Sequence, residues 1–285
     1  MDFTTEKITQ LYKALLQQGF SFFTFKEYLE NKTPSKYIIL RHDVEQKYAI
    51  ALKFAQIQHS LGIKGTYYFR ILPECFKPEV VRKIAELGHE VGYHYDDLAQ
   101  CKGDYGKAIA RFEKNLNTLR SIAPVATICM DGSPLSKYDN KDLWNVTPSP
   151  SLSLPQSPPP SLPPSPPRPY HAYNLLGEPY FDLDFNKVFY LTDTGRRWDG
   201  WKVSVRDKVP QQEQWIKQGL VFHTTEDIIK AATKGQLPDK IMFTFHPQRW
   251  NDCFLPWMKE LFLQRVKNVV KRVLLKMRNG DGETG

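Results

Sequence analysis

The sequence predicts an α/β protein built on a parallel sheet, and three observations carry that prediction. Short apolar runs alternate with amphipathic stretches of helical period from residue 37 to about residue 130. Glycine or proline stands at many of the switches between them. The apolar runs are also continuous, as expected of strands covered on both faces.

The elements follow in order. A helix is expected over 5–18, stopped by Gly19, then a strand over 37–40 and a helix over 47–60 closed by Leu61-Gly62. A strand over 65–70 precedes a helix over 78–87, opened by Pro78 at its first position and ended by Gly88. Residues 89–94 read as a strand, 105–119 as a helix and 125–129 as a strand. Further strands are expected at 188–191, 220–223 and 241–245, the last closed by His246-Pro247. Thr224 or Thr225 caps a helix over 226–232. An amphipathic helix over 257–277 ends the pattern, with Leu261, Phe262, Leu263, Val266, Val269, Val270, Val273 and Leu274 as the face to be docked. Some seven βα-like units fit either a barrel or an open doubly wound sheet. Spacing alone does not choose between them.

Between Pro148 and Pro169 the regularity breaks, with 11 of the chain's 21 prolines in that stretch and Ser and Leu filling most of the rest. Proline removes a donor and fixes φ, so an extended, polyproline-like or disordered excursion is expected there. It reads as an insert within one domain. Residues 1–36 form a helical lead-in and 37–285 the main domain, interrupted at 148–169.

A chain of 285 residues with 41% hydrophobic and 13% aromatic residues can fill one large domain or two small ones. The opening Met1-Asp2-Phe3-Thr4-Thr5-Glu6-Lys7 is acidic and polar, unlike a secretory leader, so a cytoplasmic location is expected. No apolar run reaches the roughly 18–20 residues that spanning a bilayer needs. Cys75, Cys101, Cys129 and Cys253 are widely spaced and read as free thiols of the core. The net charge of +8 raises nucleic acid as a partner, yet 259–285 alone holds seven Lys or Arg against three acids. A solvated charged face of the last helix accounts for that excess, and no specific nucleic-acid motif accompanies it. The oligomeric state is not legible.

Chemistry concentrates where strands end. Asp43 and Glu45 share one face of an extended chain at the end of the 37–40 strand, the place where α/β folds gather ligands and catalytic groups. Two acids there suggest a metal site or a general base; they equally suit a loop pair answering Arg41 and Lys47. His94 and His246 stand at two further strand ends, and Asp131 follows another. His94 between Tyr93 and Tyr95 also suits a satisfied core histidine, and His246 before Pro247 likewise.

Three segments carry a resemblance: Arg41-His42-Asp43-Val44-Glu45, Gly88-His89-Glu90-Val91-Gly92-Tyr93-His94-Tyr95 and Phe243-Thr244-Phe245-His246-Pro247. Together they resemble the NodB-type polysaccharide deacetylases (carbohydrate esterase family 4-like) of the Asp-x-Asp branch. The resemblance implies a distorted (β/α) barrel and a divalent metal, zinc foremost with other divalent ions as alternatives. It also implies hydrolysis of a non-peptide C–N bond, removing acetyl from an N-acetylated sugar or a related carbohydrate.

Position by position, Asp43 matches the general base, Glu45 the second aspartate, a metal ligand, and His94 the first ligand histidine. His246 matches the late general-acid histidine. The pattern departs at Leu98, where a second ligand histidine is usual, and at Glu45, one methylene longer than aspartate. It departs again in the Met130-Asp131-Gly132-Ser133-Pro134 loop, where Asp131 replaces an expected histidine. The implied metal set is therefore Glu45, His94 and Asp131, more anionic and more favourable to harder ions. His42 and His89 are adjacent spares, and strand alternation turns His42 away from Asp43.

A polar stretch, Thr192-Asp193-Thr194-Gly195-Arg196-Arg197-Trp198, with Val205-Arg206-Asp207 after it, offers substrate contacts. Asp193 belongs to that set, Arg196 or Arg206 suits an anionic group, and Trp198 suits a sugar face. A structural Asp–Arg pair suits the same residues, and Gln248-Arg249-Trp250 carries the same ambiguity. The sequence reading is a metal-dependent deacetylase-like hydrolase. Its alternative is a catalytically degenerate relative acting as a carbohydrate-binding or structural partner.

Overall fold

The computed structural model describes residues 1–145, 169–199, 204 and 209–280, with side chains as far as residue 270. The expected proline excursion and Arg206 lie outside these residues, apart from Pro169. Seven strands form one sheet: β1 (Ser21–Phe23), β2 (Tyr37–Val44), β3 (Thr66–Phe69), β4 (Glu90–Tyr95), β5 (Val125–Met130), β6 (Phe189–Thr192) and β7 (Lys240–Phe245). All of the pairings are parallel, in the order β5-β4-β3-β2-β7-β6. β7 holds Tyr37 to His42 on one edge of β2. On the other edge β1 pairs with Tyr37 to Ile39 and β3 with Arg41 to Val44, end to end. Among the described residues no ladder joins β5 to β6, so the parallel sheet is consistent with a distorted barrel without being closed.

Helices alternate with the strands: α1 (Thr5–Gln17), α2 (Phe25–Leu29), α3 (Tyr48–Ser60), α4 (Pro78–Glu86), α5 (Asp97–Gln100) and α6 (Tyr105–Arg120). After the insert come α7 (Pro179–Asp182), α8 (Gln212–Lys217), α9 (Thr225–Thr233) and α10 (Phe254–Gly280). Local chemistry sets their ends. Thr4 accepts from the Lys7 amide to cap α1, and Thr224 with Asp227 forms a capping box at α9. Pro78 opens α4, and Gly88, at φ +85°, turns the chain into β4 with a conformation that L side chains avoid. Every residue of β2 is buried, as expected of a central strand with parallel neighbours on both edges.

Three expectations are corrected. Residues 220–223 do not form a strand: the Leu220 amide bonds back to Trp215 and the Val221 amide to Gly219, leaving no ladder for a neighbour. Cys75 and Cys129 are buried as expected, but Cys101 is half-buried and Cys253 exposed. The last helix turns the opposite face inward. Among its described side chains Gln264 and Asn268 are the buried ones; the Asn268 amide donates to the Gly195 carbonyl at 3.0 Å and Gln264 donates to Asn268 at 3.0 Å. Phe262, Leu263, Val266, Val269 and Val270 are exposed.

Within residues 1–36, β1, α2 and its capping box at Thr24 escaped the sequence pattern, being too short to show a period.

Candidate metal and proton-transfer site

The site grows out of the carboxyl ends of β2, β4, β5 and β7. Alternation along β2 sets Arg41 and Asp43 on the cavity side and His42 on the helix side. Asp43, 2% exposed, accepts from Arg41 Nε at 2.9 Å and from Arg41 Nη2 at 2.7 Å, a bidentate pair. Burial works to raise its pKa, but Arg41, His94 and His246 outweigh that and hold the carboxyl well below the usual carboxylate range.

Glu45 lies just past the strand and stays on the same side. Its Oε2 accepts from Gln248 Nε2 at 2.9 Å, and its Oε1 faces His246 Nε2 at 3.6 Å. Burial opposes ionisation, yet His246, Arg249 and His94 together lower its pKa.

His94, near the end of β4, donates from Nδ1 to the Cys129 carbonyl at 3.0 Å, so in the neutral ring the lone pair sits on Nε2. That atom is buried and has no hydrogen-bond partner. It stands 3.9 Å from Asp43 Oδ2 and 3.7 Å from Asp131 Oδ2. Asp131, one residue past β5, spends Oδ1 on the Ser133 amide at 2.8 Å and the Ser133 hydroxyl at 2.6 Å. Its Oδ2 is thereby turned toward His94.

His246 follows β7 and is clamped from behind. Asp193, wholly buried, takes His246 Nδ1 at 2.6 Å, Trp250 Nε1 at 2.7 Å and Arg249 Nη1 at 3.0 Å. It also accepts the His246 amide at 3.0 Å. His246 Nε2 is left to face Asp43 Oδ2 at 3.9 Å. Burial and Arg249 work against the imidazolium, but Asp193 and Glu45 prevail and hold the His246 pKa above its ordinary value.

Asp43, Glu45, His94, Asp131 and His246 thus converge on one cavity of about 710 Å³. One ligand atom from each of Glu45, His94 and Asp131 lies within 4.8 Å of the others, a cluster able to coordinate a divalent ion. A second grouping, Asp43, His94 and Cys129, meets the same limit, but both Asp43 oxygens are already engaged by Arg41. The bare Nε2 of His94 fits a ligand role: a buried acceptor without a partner is costly unless something binds it.

Of the substrate candidates within the described residues, Asp193, Arg196 and Trp198, none lines this cavity. Asp193 sits behind His246. Arg196, 7% exposed, donates to the Trp257 carbonyl at 2.8 Å and lies over the Trp257 ring. Trp198 is a core residue, 2% exposed, donating to Thr225 Oγ1 at 2.9 Å and packed on Phe243 and Phe245. Leu98 sits in α5 and is buried in the core. His42 and His89 lie on the helix side, His89 bonding the Ala55 carbonyl at 2.9 Å.

Sequence reasoning missed Arg70 and Asp96. Arg70 donates to Asp96 at 2.5 Å and reaches within 3.8 Å of Asp131 Oδ2, balancing charge beside the cluster. Its signal is positional, since Arg70 stands just past β3, at a strand end like the other site residues.

Comparisons with known proteins add little. No protein-family model matches the chain, and no curated protein matches it. Among solved structures, a Streptococcus mutans CE4 esterase is similar at 10% identity and a TM-score of 0.40, over 87% of this chain and 85% of that one.

Proposed function

We propose that this protein is a metal-dependent hydrolase of a non-peptide C–N bond, releasing acetate from an N-acetylated sugar or related small carbohydrate. The observation that carries the reading is the unpartnered, buried Nε2 of His94 aimed between the carboxylates of Asp43 and Asp131. Glu45, His94 and Asp131 would hold the ion. Zinc suits His94, while two carboxylates also admit harder divalent ions. When bound, such an ion polarises an amide carbonyl and lowers the pKa of water.

The chain's own groups supply the proton traffic. Asp43, kept ionised by Arg41, takes the proton from the attacking water at Oδ2. His246, oriented through Nδ1 by Asp193 and with its pKa raised, donates from Nε2 to the departing amine. Arg41 pairs with Asp43, and Arg70 pairs with Asp96 while standing 3.8 Å from Asp131 Oδ2, so the arginines already balance part of the charge around the proposed ligand set.

A second reading, a binding or structural protein without turnover, is favoured by one observation: Arg41 occupies both oxygens of Asp43. Metal content and acetate release from N-acetylated sugars, measured on the native chain, Asp43→Asn and His94→Ala, separate the two. Metal-dependent acetate release lost in both variants supports hydrolysis. Bound metal without acetate release from any substrate favours the second reading, and no metal in the folded native chain removes the first.

A further inference from the structure

α10 presents to solvent the face that a soluble helix normally hides. Leu255 is 77% exposed, Phe262 67%, Val269 55%, Val266 48%, Val270 46% and Met258 44%. At 100° per residue these six fall within one arc of roughly a third of the helix circumference. The opposite side is fastened to the body by polar groups: Asn268 to the Gly195 carbonyl, and the Trp257 indole to the Asp2 carbonyl at 2.6 Å. The outward apolar arc therefore has no partner within the described residues.

Charge says what would cover it. The span Phe254–Gly280 contains seven Lys or Arg and a single acid, Glu260, which already pairs with Lys47 at 3.4 Å. Arg265 and Lys267 flank the apolar arc on its two sides, and exposed Lys259 lies within it toward the start of the helix. An apolar stripe edged by cations suits the interface of an anionic bilayer, where the stripe enters the acyl boundary and the cations stay at headgroup level. A second copy fits poorly, because helix against helix would set these cationic edges against each other. No helix among the described residues is long and apolar enough to cross a membrane, so the helix would lie on the surface.

We propose that α10 docks the protein on anionic lipid surfaces through Leu255, Met258, Phe262, Val266, Val269 and Val270. α10 also lends Val266, Lys267 and Val270 to the cavity wall, so docking would bring the bilayer beside the cavity mouth. The surface is independent of whether the cavity hydrolyses anything.

The test is co-sedimentation of the full chain with vesicles of phosphatidylcholine alone and of phosphatidylcholine with phosphatidylglycerol. The native chain is expected to pellet with the anionic vesicles only. Phe262→Asp/Val266→Asp/Val269→Asp, at exposed positions, should abolish pelleting while the circular dichroism stays native. Arg265→Glu/Lys267→Glu should weaken it at least about tenfold. Equal pelleting of native and triple-Asp chains overturns the proposal, as does equal pelleting with both vesicle types. A native chain that stays in the supernatant also overturns it. The occupant is then a second copy if sedimentation shows a dimer that the triple variant dissolves.

Discussion

One residue apart on β2, Asp43 and His42 anchor two polar clusters of opposite character. On the helix side the cluster is closed. His42 Nδ1 donates to the Thr66 carbonyl at 3.0 Å, and its Nε2 accepts from Gln58 at 2.7 Å. Gln58 also donates to Tyr12 at 2.7 Å and accepts from Tyr67 at 2.7 Å, while Tyr67 stacks on the His42 ring at 4.1 Å. On the cavity side the cluster is open: His94 Nε2 has no partner, and three carboxylates approach it or His246 without bonding either Nε2. A closed buried network specifies packing; an open one holds binding capacity in reserve. The difference teaches that equal burial does not mean equal role.

Breaking the open cluster should change chemistry most. Asp43→Asn removes the proposed proton acceptor and should lower acetate release by at least about a hundredfold. Its stability must be read in parallel, since Arg41 would remain buried opposite a neutral amide. The next largest effect is His94→Ala. Bound divalent metal, measured on protein purified without chelator, should fall from near stoichiometric to background. Unfolding should cost about 1–3 kcal/mol less, because the Cys129 carbonyl loses its donor and a buried ring is removed, so the metal loss is read on protein shown to be folded. A variant that keeps its metal would show that Glu45 and Asp131 suffice or that the ion lies elsewhere.

The two clusters were unequally legible in sequence. The open one sits at strand ends, so period 2 and the apolar runs sufficed to gather Asp43, Glu45, His94, Asp131 and His246 on one side. The closed one depends on Gln58 and Tyr12, which come from two helices, and no local pattern pairs them. Trp198 and Arg196 show the opposite failure: polar and aromatic residues after a strand looked like a binding loop. They instead serve the core and α10, a long-range outcome invisible to local composition. The last helix misled for a similar reason. Its period announced an amphipathic helix but not which side the Gly195 loop would bind.

Breaking the closed cluster should cost stability and spare the metal. Gln58→Leu leaves Tyr12 and Tyr67 hydroxyls and His42 Nε2 without partners in a buried region. The expected loss is about 1–3 kcal/mol, a fall in melting temperature of several degrees for a chain of this size. Metal content should match the native protein. A variant as stable as the native chain would mean that water or local rearrangement satisfies these groups, and the contrast between the two faces would collapse.

The last effect is a difference in slope, and it is the most specific. Burial pushes His42 down to about 3, against an ordinary histidine value near 6.5, so the native state keeps it neutral while the unfolded chain protonates it. Between those two values the unfolded state binds more protons; His42 therefore contributes stability above pH 6.5 that is lost as the pH falls toward 3. Two buried acids act in the opposite sense within the same window. Burial raises Glu178 to about 7 and Asp97 to about 6, so each favours the native state at low pH and loses that contribution as pH rises. The total slope can therefore be shallow, and the informative quantity is a difference. His42→Gln keeps a donor and an acceptor but cannot titrate, so its urea midpoint should fall less steeply than the native one between pH 6.5 and pH 4. Identical slopes would mean that His42 already carries its proton in the folded state, which its bond from Gln58 forbids. The closed cluster would then have to be redrawn with Gln58 flipped.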